Sequence, residues 1–514
     1  MQSGYFAVRH SSLFFPLILW LTVCTNSAFS QERYGTGLIF EEDIASKIPQ
    51  RAVLLTRSYE NLPDAHSLKA YAPKVMSQGR YGTCTGWAST YAARTIAEAY
   101  ANSWTDKEKI SDEAYSAMFT YGMVRRNPGC EKGTAISEAV RKLKEVGAVK
   151  RRELPDSCPT AVLTDLYQKA GEHRIFDCFT TFSQSDPPNF KVAAVKKAIS
   201  ENRPVVVAMS VYESFKRQGK GVWNGFTTAA EVGGHAMCVV GYNDALYGGA
   251  FEIMNSWGTN WGDMGFVWVK YDDFGKHSWY GHDIYIKKRI PAPAPAPQPQ
   301  PAPQPQPAPQ PQPPAPQPQP APQPQPAPPP QPALVQLSGA LQFKLSNGDE
   351  MPVSLQNKGG VPTYKTKEEY IAGTRFRIYL SNNNPAYVYV VGSDLNNEVS
   401  MIFPHNERTS AALFYKNNDI ALPDEKHLFE LDNTKGTTYA LVLYSESELP
   451  INEIVEKIRG GKGNFTQKVL GAVGGGIVPF GEVALDRQSI KFSSKSVKSI
   501  VAIAVEVDHV ASGH

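Results

Sequence analysis

Between residues 291 and 332 proline alternates with alanine and glutamine in an almost unbroken run. Such a segment favours polyproline II and has no apolar face from which to build a core. At about 3.1 Å per residue it spans on the order of 130 Å when extended. It therefore acts as a spacer, and the 514-residue chain must fold in parts on either side of it. Two or three domains agree with the ceiling of roughly 250 to 300 residues on a single core. We divide the chain into 1–30, 31–66, 67–290, 291–333 and 334–514. A second use for the run, as a ligand for proline-recognising modules, is set aside as the less economical reading.

The first unit carries Arg9 and His10, an apolar run from Leu13 to Leu21, and the small-residue pattern Ala28-Phe29-Ser30. This reads as a signal peptide cut before Gln31. The run is only about half of the roughly 20 apolar residues that a membrane span requires. A lipid anchor through Cys24 is the alternative, although Val23 is a poor residue before a lipidated cysteine. A secreted, periplasmic or cell-surface location is expected, where disulfides persist. Cleavage leaves Cys84, Cys130, Cys158, Cys178 and Cys238, so at least one thiol stays unpaired. Cys130 and Cys158 lie in the turn-like stretches Pro128-Gly129-Cys130-Glu131 and Asp156-Ser157-Cys158-Pro159 and are read as one disulfide. Cys178 and Cys238 lie in apolar runs and are read as core residues. The net charge of +3 gives no electrostatic footprint for nucleic acid.

Upstream of the spacer the pattern is mixed. Ala88, Ala92, Ile96 and Ala99 mark one face of a helix over 84–100, and Ile136, Ala139, Leu143 and Val146 mark another over 134–146. The runs 204–211, 235–242, 251–255 and 265–271 read as strands. Helices first and antiparallel strands later predict an α+β fold, with a helical lobe facing a sheet or barrel lobe across a cleft.

Three words carry the chemistry: Gln78-Gly79-Arg80-Tyr81-Gly82-Thr83-Cys84, Gly233-Gly234-His235-Ala236, and the stretch from Asn255-Ser256-Trp257-Gly258 to Trp261-Gly262. A helix starting at Cys84 offers its positive end to a thiolate, and the Cys84 N–H with the Gln78 amide supplies two donors for an oxyanion. The turn-rich stretch 243–249 makes a hairpin that brings His235, at the start of one strand, nearly opposite Asn255, at the end of the next. An Asn oxygen there fixes the imidazole tautomer and leaves the other nitrogen for the thiol. Trp257 and Trp261 then shield that bond from water. His66, His173, His277 and His282 have no comparable context and are assigned to surfaces or structural hydrogen bonds. The Cys and His words lack metal-ligand spacing.

These residues resemble the papain-like cysteine peptidases over roughly 68–288. The resemblance implies a two-lobed fold with the site in its cleft, with Gln78 at the oxyanion hole, Cys84 as nucleophile, His235 as base and acid, and Asn255 as the orienting amide. It implies peptide-bond hydrolysis on protein or peptide substrates through a thioester, with neither metal nor organic cofactor. Two departures stand out. Tyr81-Gly82-Thr83-Cys84-Thr85 stands where the family often has Cys-Gly-Ser-Cys-Trp, so the usual disulfide beside the nucleophile is absent and the usual bridge for Cys130 is unsettled. About 35 residues separate the predicted cleavage from the domain, too few for the family's long inhibitory propeptide. Tyr34 to Phe40 resembles the short leaders of bacterial members and is read as packing on the domain.

Beyond the spacer, alternating runs at 341–345, 375–380, 386–391, 439–443 and 500–507 predict a mostly antiparallel β-sandwich with a helix at 451–458. Tyr387 to Val391 followed by Met401 to Pro404 resembles a small bacterial domain of unknown function that is often appended to enzymes. An accessory role with an unknown binding partner is the default for such a tethered module. Two other functions stay open at this point: a non-enzymatic surface binding protein on the same scaffold, and a thioester-forming amidase or transferase.

Overall fold

A computed structural model of the protein describes residues 34–40, 45, 47–50, 62–159, 164–224, 230–286 and 334–510, apart from 357–359, 394–397, 407–408, 414–419, 424–426 and 434. The candidate signal peptide, the proline-rich run and the rest of the leader lie outside these residues. Among the described residues no helix is long and apolar enough to cross a membrane.

The first region is built on eight strands: β1 (Ala65–Ser67), β2 (Asp177–Phe182), β3 (Val205–Tyr212), β4 (Val222–Trp223), β5 (Glu231–Asn243), β6 (Ala250–Met254), β7 (Phe266–Lys270) and β8 (Ser278–Tyr285). They pair in the order β2-β8-β3-β5-β6-β7-β4, with β1 added to β5. Every pair is antiparallel except β4 with β7. Val205 to Val211 is buried at every position, as expected of a strand covered on both faces.

Against this sheet lies a central helix made of Cys84–Gly86, a π-helical stretch Trp87–Arg94, and Thr95–Ala101. Ala88, Ala92, Ile96 and Ala99 are all buried, but so is nearly every other residue of the helix, including Thr85, Ser89, Thr90 and Thr95. These hydroxyls find partners in the interior: Ser89 Oγ donates to the Thr85 carbonyl at 2.6 Å and Thr90 Oγ1 to Thr120 Oγ1 at 2.7 Å. Bonds of a side chain to its own helix loosen the regular ladder, and a π-turn here widens the stretch just after Cys84. The Ala117–Val124 helix packs so close that a Cβ on Gly86 would overlap the Ala117 carbonyl. Cys130 and Cys158 are joined by a disulfide beside Met118 and Tyr121.

The second region is a sandwich. One sheet carries Thr363–Thr366, Ile500–Val510, Gly436–Ser445, Ala386–Ser393 and Val399–Phe403; the other carries Ile420–Leu422, Arg375–Asn382, Val335–Leu345 and Ile490–Ser496. Strict alternation of burial along Ile490–Ser496 is the signature of a strand with one dry face. Leu341, Phe343, Ile378 and Leu380 meet Val388, Val442, Tyr444 and Ile503 in the core. The first sheet's outer face is covered by the helices Ile451–Gly460 and Phe465–Val473 through Ile454, Ile458 and Val469. The apolar pattern of the sequence marks only the first of these helices. Gly471 and Gly474 to Gly476 masked the second, although the capping box of Asn464 with Gln467 announces it.

The two regions share a contact on β2. Phe179 enters the cluster of Tyr387, Tyr389, Leu443 and Ile454. Tyr387 donates its hydroxyl to the buried Asp177 carboxylate at 2.7 Å, and Lys144 bridges Asp177 and Glu448 at 2.9 Å each. The described residues accordingly fall in one compact unit.

The Gly86 contact gives a direct test of how the central helix is seated. Gly86→Ala must push the helix from its neighbour at a cost of about 1–3 kcal/mol, lowering the thermal midpoint of the first region by roughly 2–10 °C. Differential scanning calorimetry reads this, and an unchanged midpoint contradicts the packing described.

Candidate active site

Cys84 opens the central helix, and Gln78 stands on the loop before it. His235 lies inside β5, four residues past its start at Glu231, rather than at the strand's beginning as the sequence suggested. The strand extends further because Ser210 and Val211 of β3 pair with Gly234 and Gly233. Asn255 follows β6 directly. Register Cys238↔Met254, with an irregularity between Val239 and Gly241, sets Asn255 close to His235. His235 Nε2 meets Asn255 Oδ1 at 2.8 Å. An amide oxygen as partner makes Nε2 the protonated nitrogen. Nδ1 is buried without a hydrogen-bond partner.

Trp257 lies over this pair, its ring 4.8 Å from the His235 ring and close to parallel, and Trp261 packs on Trp257 edge-on at 5.4 Å. Both indoles are buried. Gln78 is locked from two sides: its N–H donates to the Ser256 carbonyl at 2.8 Å, and its Oε1 accepts from Ser256 Oγ at 2.5 Å. That leaves Nε2 to point outward, where it donates to the Tyr81 carbonyl at 2.7 Å and the Gly35 carbonyl at 3.2 Å. The positioning role of Ser256 is not visible in the sequence, since a serine in Asn-Ser-Trp-Gly carries no spacing of its own.

The Gly35 carbonyl belongs to the leader, which packs on the domain as expected and does so at the catalytic residues. Tyr34 to Phe40 runs through the seam where these side chains meet. Gly35 donates its N–H to the Gly79 carbonyl at 3.0 Å and accepts from Trp257 Nε1 at 3.1 Å. Gly37 accepts from the Thr134 N–H at 2.9 Å, Ile39 donates to the Thr134 carbonyl at 3.1 Å, and Leu38 donates to the Gly234 carbonyl at 3.4 Å. Tyr34 stacks on Trp257 with centroids 4.8 Å apart, so the indole is sandwiched between Tyr34 and His235. Only glycine fits at two of these places: a Cβ on Gly35 would overlap the Tyr81 carbonyl, and one on Gly37 would overlap Gly82.

Burial decides the charge state. Cys84 is fully enclosed, and loss of water pushes its thiol up to about 11, against the pull of the Ala236, Gly37, Thr85 and Cys84 backbone N–H groups around the sulfur. The thiolate expected from the helix end is therefore not the resting form, because desolvation outweighs the helix terminus. Burial likewise lowers His235 to about 4, with the Asn255 bond opposing. Both groups rest neutral at pH 7.

Cys178 and Cys238 are buried in strands β2 and β5. The four histidines set aside above lie elsewhere: His66 Nε2 meets Asn202, His173 meets Tyr115, His277 meets Tyr212, and buried His282 lies between Ser137 and Thr180.

Residues 63–282 match the profile of the papain family cysteine protease. The chain carries a papain-family cysteine protease domain. Residues 369–448 match a second profile, the domain of unknown function DUF4384. Among curated relatives, cathepsin B of Dictyostelium discoideum is 26% identical over 253 residues, covering 44% of this chain and 77% of that protein. A cathepsin L-like proteinase of Fasciola hepatica is 25% identical over 265 residues, covering 51% and 76% respectively. Among solved structures, xylellain, a cysteine protease from Xylella fastidiosa, aligns with 50% of this chain and 97% of its own at 21% identity and a TM-score of 0.40. A papain-family protease acts on proteins, and the DUF4384 match spans strands of both sheets of the sandwich, among them Arg375–Asn382, Ala386–Ser393 and Gly436–Ser445.

The fit of the leader to the protease domain makes a prediction. Gly37→Val expels the strand, so iodoacetamide alkylates Cys84 at least tenfold faster than in the parent at pH 7. In the parent the rate climbs with pH toward about 11, because a raised pKa keeps the thiol protonated below it; in the variant the midpoint moves to lower pH as water returns. Peptide mass spectrometry over a pH series measures both, and superimposable profiles contradict the assignment.

Proposed function

We propose that the protein is an exported papain-type cysteine peptidase that hydrolyses peptide bonds through Cys84 and is latent while residues 34–40 fill its cleft. One arrangement carries the reading: a cysteine at the start of a buried helix whose sulfur takes the backbone N–H of Ala236, and at the preceding residue, His235, an imidazole whose Nε2 is held by the Asn255 oxygen at 2.8 Å under an indole lid. With Nε2 occupied, Nδ1 is the nitrogen available to the thiol.

Once the leader leaves, water reaches the thiol and imidazole and removes the desolvation that keeps both neutral. Cys84 passes its proton to His235 Nδ1, and the thiolate sulfur forms a bond to the substrate carbonyl carbon. The carbonyl electron pair moves to oxygen, where the Gln78 Nε2–H and the Cys84 N–H donate to it. The place is already suggested by the Gly35 carbonyl, which accepts from Gln78 in the closed state. Collapse breaks the C–N bond, and the amine leaves with the proton from His235. Water, losing a proton to the same nitrogen, attacks the thioester and releases the acid and the thiol. Asn255 keeps the ring in one orientation throughout.

Export is supported by the apolar run 13–21 ahead of Ala28-Phe29-Ser30 and by the disulfide Cys130–Cys158, which oxidising compartments permit. The five units set out from the sequence are retained as the domain plan, with the proline-rich run as spacer.

Cleavage-site profiling of a mixed peptide library by mass spectrometry, with chains freed of the leader strand by Gly37→Val, tests the roles. Cys84→Ala abolishes both cleavage and labelling by an epoxide, and Gln78→Ala lowers kcat about 10²- to 10³-fold. Undiminished labelling of the Cys84→Ala chain would sink the assignment, and aminolysis products in place of free acids would identify a transferase.

A further inference from the structure

We infer that the C-terminal domain is the clamp that keeps the leader in the cleft, by pinning residues 48–50 against the edge of the protease sheet. The inference rests on the peptidase reading above and adds the device that regulates that site.

β2 pairs with β8 on one side only. A strand edge of this kind leaves backbone groups open, and the leader closes it at one point. The Thr180 N–H donates to the Pro49 carbonyl at 2.9 Å and Thr180 Oγ1 to the Ile48 carbonyl at 3.1 Å, with the Ile48 side chain buried. The next carbonyl, that of Gln50, accepts from the Ser410 N–H at 2.8 Å, so Gln50 bridges Thr180 on one side and Thr409 on the other. Leader, protease domain and C-terminal domain thus meet at three consecutive residues.

The Ser410 end of this bridge is stiff. The Ala412 N–H donates to Ser410 Oγ at 3.1 Å, Thr409 is tied to Asn406, and the Val388 N–H donates to the Ala411 carbonyl at 2.8 Å. Val388 adjoins Tyr387, whose hydroxyl holds Asp177 at the start of β2. One strand of the C-terminal domain therefore grips β2 directly through Asp177 and, through 409–411, the leader lying on Thr180. Phe176 and Phe179 pack on the same domain, Phe176 with its ring 5.3 Å from Tyr387. Lys144, between Asp177 and Glu448, locks the grip with charge.

The consequence for the cleft follows from tether length. Phe40 is eight positions from Ile48 and twenty-two from Leu62, where the described residues resume. Local concentration of a tethered segment falls roughly as the −3/2 power of tether length. Loss of the anchor at 48–50 thus lowers the concentration of the 34–40 strand at the cleft roughly four- to fivefold by this argument alone, before counting the three backbone carbonyl bonds lost.

Amide hydrogen exchange in full-length protein carrying Cys84→Ala tests this without depending on catalysis. The variants are Glu448→Lys, which sets a like charge on Lys144, and Ser410→Pro, which removes the N–H that Gln50 accepts. In both, the Leu38 and Ile39 amides exchange at least fourfold faster than in the Cys84→Ala parent. Amides of the Gly436–Ser445 strand report whether the sandwich remains folded; a sandwich lost altogether also frees the leader. Parent rates at Leu38 and Ile39 in both variants overturn the clamp. Failure of the peptidase reading shows separately, in the cleavage assay.

Discussion

Everything about the site depends on how completely a strand of the chain's own backbone seals the seam between helix and sheet. Gly35 and Gly37 let that backbone come into direct contact with the 79–82 loop, and Tyr34 caps the outer face of Trp257. A thiol and an imidazole lose their water together, and burial is the largest influence on each. Desolvation then sets both groups neutral, which reverses the polarity that a cysteine at a helix start would otherwise acquire. A resting state of this kind is chemically quiet without any change in the catalytic side chains themselves.

Rigidity sits behind the seal. Ser256 fixes Gln78 by both backbone and side chain, Asn255 fixes His235, and Trp257 bridges the leader to the imidazole through its two faces and its N–H. The central helix that delivers Cys84 is buried nearly all round, with internal hydroxyl bonds in place of an amphipathic face. The catalytic side chains are therefore held in place beneath the 34–40 strand by partners of their own.

The sequence made the site legible because its residues are reactive types at family spacing, joined by a hairpin with a strong turn signal. The strands that were named overlap β3, β5, β6, β7 and five strands of the sandwich for the same reason, since burial on one or both faces writes itself into alternation or continuous apolar runs, whereas β1, β4, β8 and Ile490–Ser496 went unnamed. Other features left no such mark. The π-helical stretch is invisible because its cause, hydroxyl bonding inside a fully buried helix, differs from the spacing of Ala88, Ala92 and Ile96. The path of Tyr34 to Phe40 is set by contacts with Gly79, Thr134 and Gly234, all distant in sequence, and a short run with two glycines has no periodicity to read. The same holds for the shared contact on β2, where Asp177, Lys144, Tyr387 and Glu448 come from four separate segments.

The central claim is that Cys84 carries the acyl group. Mixing a leader-expelled chain with a peptide ester, quenching in acid within milliseconds to seconds, and mapping the digest by mass spectrometry observes that species directly. The account requires the acyl mass on the peptide containing Cys84 and its disappearance as free acid accumulates. Product formed with no transient mass on Cys84, or with the acyl group on Cys178, Cys238 or another side chain, would contradict it.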